Sequence, residues 1–213
     1  MSAKDTFSDP GHWAVTAFSA TSLMLGLLNA GLVNPASLGI IIPTAFIFGG
    51  LVQIIVAIIE VGRGSTFGMV AFGTYGPFWI ILGLFFSFNI KTIPAANAGG
   101  DIALFLWMFA IITLYLLIAS LKTDIVLAII FVLLFITFVL LALGNGMGTS
   151  GTSLVEAGGY TTIAFAILGF YHAASGTITS TWGRVVLPIG SLAPKAPAQT
   201  GQASHPPMTP VDR

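Results

Sequence analysis

Residues 48–79 read FGGLVQIIVAIIEVGRGSTFGMVAFGTYGPFW, two apolar runs joined by the short basic turn Val61-Gly62-Arg63-Gly64. The first run closes on a lone acid, Glu60, and the second opens on Ser65-Thr66-Phe67-Gly68. Two membrane helices linked by so short a turn must be antiparallel neighbours. The second run also carries Gly73 and Gly76, the hydroxyl pair Thr74 and Tyr75, and an interior Pro77. Such a helix is too rich in small and hydroxylated residues to be a plain lipid-facing rod.

The rest of the chain sets the solvent. It has 213 residues, 56% hydrophobic and only 7% charged, where soluble domains carry about a quarter charged. No soluble core of this size absorbs so much apolar sequence, so the surroundings are a bilayer. The absence of cysteine excludes disulfide frameworks and thiolate metal chemistry, and neither a metal nor a cofactor is expected. Zero net charge argues against a nucleic-acid partner. The opening MSAKDTFSDPGHW lacks the basic region and short apolar run of a cleaved signal.

Six segments are long enough to span: 13–33, 38–59, 67–88, 102–121, 125–143 and 160–182. Each is near the ~20 residues a crossing helix needs. Lipid offers no partners to backbone groups, so the expected fold is an all-α membrane protein of six transmembrane helices. One side then holds Lys4, Arg63, Lys122, Arg184, Lys195 and Arg213, the other only Lys91. The positive-inside rule puts both termini in the cytoplasm. The expected organisation is a cytoplasmic segment 1–12, a transmembrane domain 13–190, and a disordered proline-rich tail 191–213. Pro43 and Pro77 each free a carbonyl four residues earlier, and read either as packing kinks or as kinks that line a polar path.

Few residues could carry chemistry. Glu60 reads as an interfacial acid beside Arg63, or as a proton-handling group at a pathway mouth. His172 falls near the middle of the sixth segment. It is either a neutral, hydrogen-bonded histidine or a titrating one in a proton path, its unperturbed pKa of ~6.5 being easily moved. Thr21, Ser22, Asn29, Gln53 and Thr74 supply neutral groups that glue helices or hydrate a permeant. No lysine or arginine lies inside a span. A carboxylate taken into low dielectric without a cation costs several kcal/mol. An anionic solute must therefore cross with a proton or keep part of its water.

The residues Gly49, Gly50, Gln53, Ala57, Glu60, Thr66, Phe67, Gly68 and Tyr75, and the stretch Gly183-Arg184-Val185-Val186-Leu187-Pro188-Ile189-Gly190, form two motifs at a set distance. In both, and over about residues 9–190, the chain resembles the acetate uptake transporter family, the succinate–acetate permeases. The resemblance implies plasma-membrane transport of acetate and similar small carboxylates, succinate among them, with proton coupling. It also implies a lipid-embedded homo-hexamer with one pathway per protomer. It implies an apolar constriction made by Phe18, Tyr75 and Leu134, which selects by size and dewetting, and a size-tuning position near Gly169. On the residues alone Phe18 and Leu134 read as ordinary packing.

One place departs from the family. Its usual N-P-A-P-L-G reads here Asp9-Pro10-Gly11-His12-Trp13-Ala14, so His12 and Trp13 stand near the cytoplasmic mouth, where they bear on access and specificity. The competing function is a passive channel for a small neutral solute such as urea or a short amide. An enzyme is not expected, since there is no cysteine and no acid near His172 in the sequence. Association is supported by the glycine-rich faces and by Phe105, Trp107, Phe109 and Tyr115.

Overall fold

The computed structural model describes residues 8–192, so Lys4, Lys195 and Arg213, and the tail beyond Leu192, lie outside the described residues. Six helices are long and apolar enough to cross a membrane. They are α1 (Gly11–Asn29), α2 (Pro35–Arg63), α3 (Thr66–Asn89), α4 (Ala95–Ser120), α5 (Ile125–Gly146) and α6 (Thr152–Trp182). The expected number of spans stands, but the ends move. The last helix starts at Thr152 rather than at residue 160, because its first turns are polar and half-wet, with Glu156 exposed. The first begins at Gly11 and stops at Asn29, short of residue 33.

The turns form where the sequence permits them. Gly64 (φ 69°) closes α2 and Gly183 (φ 66°) closes α6, both in the left-handed region that side chains resist. Ser65 caps α3 by accepting from the Gly68 amide at 3.3 Å, and Asp124 caps α5 by accepting from the Leu127 amide at 2.8 Å.

Packing runs α3–α2–α1–α6–α5–α4. The bundle is apolar outside, with Ile58, Leu104, Ile111 and Ile118 all exposed, as lipid contact requires. The bulkiest completely buried side chains include Gln53, Thr21, Thr113, Ser19 and Ser22. The helix-four aromatics divide: Phe109 lies in the bundle core, while Trp107 and Tyr115 face outward, as does Trp13.

Gly49 and Gly76 allow close crossing: a Cβ on Gly49 would stand 2.7 Å from the Trp79 indole, and one on Gly76 2.8 Å from Ile54. Gly73 has only ordinary contact with Ala57, so it does not share that role. The irregularity expected at Pro43 extends past it into a π-helical stretch, Ala45–Leu51, whose wider turn carries Gly49 and Gly50 against α3.

The chain beyond α6 folds back as a strap. The amides of Ile125 and Val126 donate to the carbonyls of Gly190 and Ile189 at 2.8 and 3.3 Å, and the Leu192 amide donates to Thr123 at 2.8 Å. Tyr171 and Ser175 of α6 donate to the carbonyls of Pro188 and Leu187. Residues 191 and 192, expected in the tail, therefore belong to this strap, paired with the α4–α5 turn.

Candidate functional site

Two cavities lie one above the other along the bundle axis. Each helix that lines both is divided at the same level. The first cavity takes residues 11–18 of α1, 67–75 of α3, 127–134 of α5 and 169–172 of α6. The second takes 18–29, 78–86, 134–145 and 162–165 of those helices. Phe18 and Leu134 line both, and so form the wall between them. The volumes are about 190 Å³ and 80 Å³, each well above the ~15 Å³ that holds one water.

The wall is aromatic and tightly set. Phe18 meets Tyr75 at 5.4 Å and stacks on Phe165 at 5.6 Å between centroids. Such pairs add about 0.5–1.5 kcal/mol each beyond their buried area. The Tyr75 hydroxyl is shared with Thr113 Oγ1 of α4 at 2.8 Å, so the side chain turns its apolar ring, not its oxygen, toward Phe18.

The first cavity, here the vestibule, opens at the end that carries Asp9 and Arg63. Gln53 is completely buried in its wall, its Nε2 donating to the Gly49 carbonyl at 2.6 Å and its Oε1 without a hydrogen-bond partner among the described residues. Glu60 lines it too, while its carboxylate sits 3.1 Å from Arg63 Nε. Arg63 also reaches Asp9 at 3.7 Å and donates to the Ser8 carbonyl at 3.1 Å, clamping the chain before α1 onto the end of α2. Gly68 leaves the space for this acid, since a Cβ there would stand 2.6 Å from Glu60 Oε2. Gly169 also lines the vestibule, and any Cβ on it would run into Ser19 Oγ.

His172 is placed differently from the sequence expectation. Because α6 starts early and is 31 residues long, His172 lies toward its final third, level with the start of α5. Its Nε2 is 3.1 Å from Asp124 Oδ2, an acid 48 residues away in sequence. The expectation that no acid attends it holds along the chain and fails in the fold. His12 completes the group, its ring 6.3 Å from that of His172 and flush against Gly176.

The second cavity holds Asn29, with Ser22, Thr137, Asn145 and Thr162, and no ionisable side chain lines it. Thr21 and Thr74 line neither cavity. Thr21 donates to the Ala17 carbonyl and packs at Gly49. The fold thus gathers Phe18, Tyr75, Leu134, Gly169, Gln53, Glu60 and His172 at the wall and vestibule, with Asn29 on the far side. Sequence reasoning did not single out Asp124, Asn145 or Thr162. The usable signal for Asp124 was its position as the acid just before an apolar helix. No cluster of three metal-ligating side chains occurs among the described residues.

Six membrane-length helices around two stacked cavities, parted by a thin apolar wall, are the build of a protein that passes small solutes through a membrane. The chain belongs to the GPR1/FUN34/yaaH family, whose model matches residues 1–193. It is 30% identical to acetate permease A of Emericella nidulans over 92% of this chain and 70% of that one. It is 30% identical to the succinate-acetate/proton symporter SatP of Escherichia coli K12, covering 86% of this chain and 95% of that protein. The solved structure described as the bacterial acetate channel SatP superposes with a TM-score of 0.79 at 29% identity, covering 86% of this chain and 99% of that one.

Proposed function

We propose that this protein carries acetate and similar small carboxylates across the plasma membrane, both termini being cytoplasmic, with a proton accompanying the anion. The observation that carries the reading is the wall of Phe18, Tyr75 and Leu134 between two cavities, acting as the constriction. A bare carboxylate meeting that wall would lose several kcal/mol of hydration with no cation to replace it. A neutral acid would not. Succinate fits the same logic only if both its carboxyls are neutralised, so acetate is the better substrate. Arg63, Lys122 and Arg184 at the vestibule end, against Lys91 at the other, support the orientation. The outward apolar faces of α2 and α4 are suited to lipid or to neighbouring copies in a homo-hexamer.

The test is labelled acetate uptake into proteoliposomes with and without an inward proton gradient, for wild type and Tyr75→Ala. Accumulation above equilibrium is expected for wild type, and altered flux for the variant. Flux that only equilibrates would make the protein a passive channel, and urea would then be the next solute tried.

A further inference from the structure

The vestibule holds an ionisable group that the constriction does not explain. Asp124 uses both carboxylate oxygens: Oδ1 accepts from the Leu127 amide at 2.8 Å and Oδ2 faces His172 Nε2 at 3.1 Å. Capping α5 thus fixes the acid, and the acid fixes the imidazole with its Nε2 proton toward Oδ2. That leaves Nδ1 as the nitrogen that can give or take a proton. It is buried and has no hydrogen-bond partner among the described residues, and the same holds for Nδ1 of His12. Centroids 6.3 Å apart leave the rings too far for a direct bond and near enough for one bridging oxygen, given donor–acceptor distances of about 2.9 Å. His12 also lines a second, outer groove with Ser8, Asp9 and Thr177, so it stands between water outside and His172 within.

We propose that His172, held by Asp124 and linked to the outer groove by His12, exchanges the proton with the carboxylate at the threshold of the constriction. The inference rests on the carboxylate reading above and names the residue that performs its proton step. In one direction imidazolium Nδ1–H gives its proton to a carboxylate oxygen, leaving neutral imidazole and neutral acid. In the other the acid's O–H proton moves to Nδ1. No other bond changes, and His12 returns the proton from or to the aqueous groove. The surrounding charges agree with this. Asp124 faces the imidazole directly, and Asp9 lies by His12. Glu60 is held by Arg63, which leaves it a structural acid beside the path.

The experiment is the pH profile of labelled acetate flux in proteoliposomes at equal pH on both sides, from about pH 5 to 8, where imidazole changes charge. Flux through protein-free vesicles is subtracted, and each protein is referred to its own rate at the acid end. If protons come only from bulk water, flux tracks the neutral acid and falls about tenfold per pH unit. Wild type is expected to fall less than half as steeply on the logarithmic scale between pH 5 and 6.5. His172→Gln should revert to the full tenfold. Asp124→Asn should steepen the profile, and Asp124→Glu should restore it. Should His172→Gln carry no flux at any pH, the Asp124 pair decides. A tenfold wild-type slope, or variants that copy the wild-type slope, overturn this inference and leave the carboxylate reading standing. Absence of wild-type acetate flux overturns both.

Discussion

The two cavities share a wall and little else. The vestibule has His12, Glu60 and His172 in its lining, while the cavity beyond Phe18 and Leu134 offers only hydroxyls, amides and aromatic or aliphatic surface. Ionisable groups thus lie on one side of the wall and neutral hydrogen-bonding groups on the other, stacked along one axis.

The comparison breaks most completely if a charge is put into the wall. Leu134→Asp should lower acetate flux more than about a hundredfold, because a stranded carboxylate costs several kcal/mol and 1.36 kcal/mol is a factor of ten. Proteoliposome uptake reads this. Removing the wall should instead merge the cavities. Phe18→Ala is expected to raise flux of four-carbon acids relative to acetate about tenfold, the usual scale of discrimination by a few methylenes, measured by competition between labelled acids. Gly169→Ala sharpens the vestibule side, since its methyl would meet Ser19 Oγ. Destabilisation of about 1–3 kcal/mol is expected for such overpacking, seen as a lower thermal midpoint in detergent and partly relieved by Ser19→Ala. The smallest effect belongs to the neutral side. Ser22→Ala removes one buried hydroxyl without a hydrogen-bond partner among the described residues. It should change flux by less than about fivefold, the scale of one hydrogen bond, and leave the pH profile as in wild type.

The fold was legible because lipid imposes strong rules. Runs such as Ile125 to Leu143 have no other way to satisfy their backbone, and the basic turn at Arg63 fixes two helices as neighbours. What sequence hid was chiefly depth and pairing. His172 looked central because the polar turns around Glu156 lower the apolar signal before residue 160, though the helix already runs there. Asp124 went unnoticed because only the packing of α5 on α6 brings it to a residue 48 positions on. Thr21 looked like a path-lining group because a hydroxyl in a span does not reveal whether it faces a cavity or its own helix, and here it bonds to Ala17. Even the aromatic helix four divided by face in a way that composition does not encode.

The strap after α6 carries a consequence for biosynthesis. The first amides of α5 find their acceptors at Ile189 and Gly190, and Tyr171 and Ser175 find theirs at Pro188 and Leu187. These residues leave the ribosome only after all six helices have been made. A chain cut short after Trp182 would insert every span and still lack the acceptors that steady Asp124 and the His172 face of α6. The hydrogen bonding of the α5 start and of the His172 face is thus completed only by residues made after the last span.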